Sequence, residues 1–182
     1  RRFSYLYSTD YNRDGSTNDL IYIPKDASEI VFTPFTYPNG VSYSAQEQSD
    51  LFFKYVDQDK YLKKHKGQFA ERNGAQFPWR NQWDARVMQE IFAKVGKDRH
   101  TIQFSIDIFN FANLLNKNWG EFKTANAASI LVPTSTLAVG QSTKPTFRLQ
   151  TDRNGPATST FRNTESIAST YFMQFGIRYL FN

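Results

Sequence analysis

The clearest alternation of apolar and polar positions lies at residues 171–181. Tyr171, Met173, Phe175, Ile177, Tyr179 and Phe181 fall on one side of an extended chain, and Phe172, Gln174, Gly176, Arg178 and Leu180 on the other. Successive side chains of a strand point to opposite faces, so this spacing predicts a strand with one wholly apolar face, aromatic at both ends. The mixed face suits a polar interior. The apolar face suits hydrocarbon better than the packed interior of a soluble sandwich. Two further stretches repeat the pattern. Over 82–93, Trp83, Ala85, Val87, Gln89 and Ile91 oppose Asp84, Arg86, Met88 and Glu90, and over 100–113, Ile102, Phe104, Ile106 and Ile108 oppose Gln103, Ser105 and Asp107. A short charged turn, 94–99, joins them. Each is long enough for the roughly 9–11 residues that a tilted membrane strand needs. Residues 1–8 alternate Phe3, Tyr5 and Tyr7 against Arg2, Ser4, Leu6 and Ser8, which predicts a further strand with its aromatics outward.

Strands near 1–8, 82–93, 100–113 and 167–181, one short turn and two long connections, 9–81 and 114–166, predict an all-β fold: an antiparallel transmembrane β-barrel segment with long outer loops. Residues 1–182 then form one domain, the C-terminal part of a barrel. Charged side chains are costly in lipid, so Asp84, Arg86, Glu90, Asp107 and Arg178 are expected to line the lumen and stiffen the wall. Trp79, Trp83, Trp119 and Tyr171 are expected at the outer membrane interface, with Tyr179 and Phe181 at the inner one.

The connections carry local signals of their own. Ser44 and Glu47 form a capping box ahead of a helical pattern through Leu51, Phe52, Tyr55 and Val56, and a second short helix is expected from 57 to about 65, ending before Gly67. Two extended patches, 130–133 and 144–150, are placed to pair as a hairpin above the membrane. Asp10, Asn12, Asp14 and Ser16 alternate around Gly15, with Asp19 beyond, the oxygen spacing of a tight calcium loop. The twelfth position is Ile21, where an EF-hand needs a bidentate Glu. An Asx-turn-rich loop without an ion is the alternative reading.

Composition narrows the function classes. The chain has 182 residues, 22 basic and 17 acidic, a net charge of +5 and no cysteine. Disulfides, zinc–thiolate sites and thiol catalysis are thereby excluded. Lys and Arg are scattered, and the one cluster, Lys60, Lys63, Lys64 and Lys66, reads as a solvated helix end. Nucleic acid is therefore not an expected partner. Mean hydropathy is −0.59, and no run reaches the roughly 18 apolar residues of a membrane helix. Alternating strands average out in such a measure, so a barrel stays open. His65 and His100 have no legible nucleophile or carboxylate partner, and no covalent catalysis is expected. The chain begins within an alternating pattern, without Met or signal peptide, and is expected to be the end of something longer.

Two resemblances sharpen this picture. Gln174, Gly176, Tyr179 and Phe181 resemble the C-terminal signal by which bacterial outer-membrane barrels are targeted to the barrel assembly machinery, although Asn182 follows the final aromatic. The stretch 10–24 (DYNRDGSTNDLIYIP), Arg72-Asn-Gly with Pro78-Trp79, Asp84-Ala-Arg86, Phe104 to Asn110 (FSIDIFN), Asn113 to Asn116 with Trp119-Gly120, and the last strand together resemble the C-terminal barrel of TonB-dependent outer-membrane transporters, in particular the Oar-like receptors of Bacteroidetes. That resemblance implies a barrel of about 22 strands with a plugged lumen in the outer membrane of a Gram-negative bacterium. It also implies the rest of the barrel and the plug as partners, outer-membrane lipid, and TonB contacted through an N-terminal part this chain lacks. The expected role is wall and extracellular loops for substrate uptake. A surface adhesion barrel, a barrel lipase or protease, and a soluble β-domain binding carbohydrate are the alternatives.

Overall fold

A computed structural model describes residues 1–127, 129–135, 144–164 and 166–181. Asn182 and residues 136–143 of the expected outer loop lie outside the described residues. Strands predominate. Among the described residues the α-helices are α1, Ala45–Gln58, and the short α2, Phe111–Leu115, and neither is long and apolar enough to cross a membrane. The sheets are open. The chain divides into two compact units: Arg1–Phe77 with Ala125–Arg162, and Pro78–Thr124 with Asn163–Asn182.

In the first unit, α1 starts where the sequence places it. Ser44 Oγ accepts the Glu47 N–H at 3.2 Å, and the Glu47 carboxylate accepts the Ser44 N–H at 2.8 Å. Each group satisfies an amide that the first helical turn leaves open. Ser44→Ala is expected to cost about 1 kcal/mol, read as a lower urea midpoint of the helix signal at 222 nm. Behind the cap, Phe52, Tyr55 and Val56 are buried. A single turn, Leu62–Lys64, stands where the second helix was expected, and Gly67 beyond it has φ +79°.

The patches 130–133 and 144–150 do pair: Leu131–Pro133 runs antiparallel to Thr146–Leu149, with Leu131 opposite Leu149. The pair does not stand apart. Val31–Phe32 adds a parallel third strand beside Thr146–Leu149, and Leu131, Phe147 and Leu149 are buried in one core with Ile21, Ile23, Phe32, Phe52 and Leu62. Gln48 is the polar stitch of this core. Its Oε1 accepts from Tyr37 Oη (3.2 Å) and Leu149 N (3.0 Å), and its Nε2 donates to Thr33 O at 2.5 Å. A fully buried amide is tolerated because its oxygen accepts two bonds and its nitrogen donates one. Residues 9–77 and 125–162, the greater part of the two long connections, therefore belong to one compact unit.

Residues 1–8 correct the expectation of a crossing strand with outward aromatics. Arg2–Phe3 pairs with Ala75–Gln76, Leu6 bridges Leu20, and Tyr5 and Tyr7 are buried in the first unit's core. Tyr5 Oη donates to Asp59 Oδ2 at 2.7 Å, an oxygen that also accepts from Thr160 at 2.8 Å, while Asp59 Oδ1 accepts the N–H groups of Tyr61 and Leu62. Alternation reports which side chains share a face. It carries nothing about whether that face meets lipid or a neighbouring helix.

The second unit holds three long strands, Ala85–Val95, Asp98–Phe109 and Phe172–Phe181, antiparallel throughout with Asp98–Phe109 in the middle. The expected charged turn at 94–99 tightens to Gly96–Lys97, with Gly96 at φ +66° in the first turn position, where a two-residue hairpin favours glycine. The middle strand was expected to reach 113. It stops at Phe109 because Asn110 turns left-handed (φ 53°, ψ 47°) and opens α2.

Candidate functional site

Register decides what each face of this sheet carries, because residues directly opposite one another project to the same side. One face stacks Met173, Ile108 and Ala85; then Phe175, Ile106 and Val87; Ile177, Phe104 and Gln89; Tyr179, Ile102 and Ile91; and Phe181, His100 and Ala93. The three apolar stripes read from sequence thus fuse into one surface, interrupted by Gln89 and His100. Phe175 and Ile177 are 70% and 75% exposed. A contiguous exposed apolar surface of this kind marks an interaction with lipid or a partner. At its turn end the Tyr179 and His100 rings stack, and Tyr179 Oη lies 2.5 Å from His100 Nδ1.

The opposite face is polar along most of its length. Arg86 grips Asp107 in a two-pronged ion pair, with Nη2 3.1 Å from Oδ2, and Gln174 lies opposite Asp107 on the neighbouring strand. Gln103 Nε2 donates to Glu90 Oε1 at 2.8 Å, and Arg178 is paired with Gln103 on the far side. Two of the five expected lining residues therefore form an ion pair, Glu90 bonds Gln103, and Arg178 shares that row of the sheet. Asp84 departs from the expectation. It lies before the strand and its Oδ1 accepts the Asn110 N–H at 2.8 Å, so it fastens the left-handed turn instead of lining the sheet. Gly176 has a close-packing reason to be glycine: a Cβ there would come within 2.6 Å of Ser105 Oγ.

The expected interface aromatics split into two groups. Tyr179 and Phe181 stay at the turn end of the sheet, and Tyr171 sits just before the third strand. Trp79, Trp83 and Trp119 converge. With Pro78, Ala112, Leu115 and Gly120 they line a pocket of about 430 Å³ whose polar members are Asn81, Asn118, Glu121 and Lys123. Asn110 is the node that builds it. Its N–H is held by Asp84, its Nδ2 donates to Gly120 O at 3.2 Å, and the next amide, Phe111 N, donates to Trp83 O at 2.6 Å. Asn113 Nδ2 donates to Trp119 O at 2.9 Å, and Trp79 Nε1 donates to Asn81 Oδ1 at 2.8 Å.

Gly120 has φ +68°, and a Cβ there would lie 1.9 Å from Asn110 Oδ1. Gly120→Ala is expected to displace Trp119, detected as a change in tryptophan emission with the α1 signal unchanged. Sequence reasoning missed Asn81, Asn118, Glu121 and Lys123. The signal it had was the cluster of turn formers Asn110, Asn113, Asn116 and Gly120, which marks a tight local fold.

In the loop at 10–19 the oxygens hold the loop itself. Asp10 accepts from Asp14 N and Gly15 N, Asn12 Oδ1 from Asp14 N, Asp14 Oδ1 from Ser16 N, and Asp19 Oδ2 from Tyr11 N and Asn12 N, at 2.6–3.2 Å. These are the bonds of an Asx-turn-rich loop. Among the described residues no three His, Cys, Asp or Glu side chains are grouped to hold a metal. No known protein family, curated protein or solved structure matches the chain.

Proposed function

We propose that the three long strands are a segment of an outer-membrane barrel wall, of the TonB-dependent transporter type that the sequence resembles, contributing to substrate uptake without covalent catalysis. The carrying observation is the register that joins three apolar stripes on one face while Arg86, Asp107, Glu90, Gln103 and Gln174 share the other. Hydrocarbon accepts the first face and an aqueous lumen the second. The strands have 11, 12 and 10 residues, enough to cross a bilayer when tilted. Among the described residues both outer edges of this sheet are unpaired, and a barrel closes such edges with further strands. On this reading the barrel assembly machinery, further wall strands, a plug, TonB and outer-membrane lipid are the partners.

Fractionation tests it. A barrel that contains this chain, exported to the periplasm, is expected to stay with outer membranes through an alkaline carbonate wash and to leave them in detergent. Recovery in the aqueous phase overturns the reading. The first unit supports a second reading, a surface-interaction barrel, because its connections share a core of their own. Solute uptake by a barrel containing this chain, lost when the first unit is deleted, favours transport over adhesion.

A further inference from the structure

The tryptophan pocket is not explained by a place in the wall. An interfacial belt spreads aromatic residues around a rim, whereas Trp79, Trp83 and Trp119 converge on one concavity. We propose that this pocket binds a neutral pyranose ring, as a mono- or disaccharide.

Trp79, Trp83 and Trp119 supply most of the apolar lining, and an indole ring offers a sugar its face. Their negative π-surface attracts the weakly positive C–H bonds on the flat side of a sugar ring, as it attracts the edge of another aromatic ring. An acyl chain would also lie against indoles, so the polar lining has to discriminate. Glu121 contributes acceptors only, with Oε1 already taking the Asn163 Nδ2 donor at 2.6 Å, and Lys123 donors only; Glu121 Oε2 and Lys123 lie 3.8 Å apart as an ion pair whose charges cancel. The pocket thus selects neither anion nor cation. A quaternary ammonium, the usual guest of an aromatic cage, would meet the Lys123 ammonium without an unpaired carboxylate to compensate.

Asn81 and Asn118 add amides that both give and accept. Asn81 Oδ1 is already engaged by Trp79, which leaves its Nδ2 to donate. Hydroxyl groups match such a mixed set because each is donor and acceptor at once. A hydrocarbon tail would bury the same groups unsatisfied. The volume, about 430 Å³, lies low in the roughly 300–1,000 Å³ range of small-ligand pockets. The Asn110, Asn113 and Gly120 bonds form the walls in advance, which lowers the cost of binding.

The test uses the full chain in micelles of a detergent without a sugar headgroup. Methyl β-D-glucopyranoside, cellobiose, maltose, choline and decanoate are each titrated while tryptophan emission is recorded. Saturable change with at least one of the three sugars is expected, and none with choline. Trp79→Ala should raise the Kd about tenfold for the loss of one stacked ring. Trp79 is 89% exposed, so its removal leaves the fold intact, and an unchanged 222 nm signal verifies this. Glu121→Gln, which keeps an acceptor but unbalances Lys123, should weaken sugar binding. Silence toward all three sugars, a response to choline or decanoate alone, or an unchanged Kd in Trp79→Ala overturns the proposal. Membrane retention is a separate measurement, so either conclusion can fail while the other stands.

Discussion

Phe175→Arg and Ile177→Arg are each expected to keep a barrel that contains this chain out of washed outer membranes, while Gln174→Arg leaves it there. The three positions share one strand, so effects on strand formation are closely matched and the comparison isolates facing. Phe175 lies opposite Ile106, which lies opposite Val87, and Ile177 lies opposite Phe104, which lies opposite Gln89, all on the apolar side. An arginine near the bilayer midplane on a lipid-facing site costs about 2–4 kcal/mol. Gln174 lies opposite Asp107, whose partner Arg86 is already cationic. A second guanidinium there finds a carboxylate and water. The fraction of chain recovered in carbonate-washed membranes is the readout, and equal losses at 174 and 175 would refute the assignment of the two faces.

Raising the pH from 10 to 12 is expected to unfold the first unit. Tyr37 and Tyr55 are buried in its core, and burial, which disfavours phenolate, pushes each hydroxyl from its ordinary 10.0 up to about 12. The sign follows from linkage. The folded state holds these protons more tightly than the unfolded chain, so the stabilisation is complete below pH 10. It falls as the unfolded tyrosines ionise, by up to about 1.4 kcal/mol per pH unit for each group. Two such groups together amount to about 5 kcal/mol by pH 12, comparable with the roughly 5–15 kcal/mol of a whole domain. Urea midpoints of the α1 signal at 222 nm should be flat from pH 7 to 9.5 and fall steeply above 10. A midpoint constant to pH 11.5 would contradict the burial of these hydroxyls.

Legibility differed element by element. The start of α1 was readable because a capping box is a contact across three residues, Ser44 to Glu47, and its chemistry is complete within the window that contains it. The three long strands were readable for a similar reason: a period of two assigns Phe175 and Gln174 to opposite faces wherever the strand packs. The turn at 94–99 was placed correctly but drawn too wide, since Gly96 alone permits the tighter loop. Tyr5 and Tyr7 misled because an alternating aromatic stripe is the same string whether it meets lipid or core. Asp84 misled because a carboxylate in strand register also serves as a cap when the partner amide, Asn110 N, comes from 26 residues away.

Alternation by itself determined that this chain makes amphipathic strands whose charged positions avoid the apolar side, and local motifs determined where its main helix begins. Tertiary structure alone decided that residues 1–8 join a core, that residues 9–77 and 125–162 of the two long connections close around Gln48 and Asp59 as one body, and that Trp79, Trp83 and Trp119 meet. The physical reason is range. Side-chain facing and capping are set by neighbours a few residues apart, whereas a shared core or a pocket wall depends on pairings between segments whose contact costs loop-closure entropy and leaves no periodic trace in the sequence.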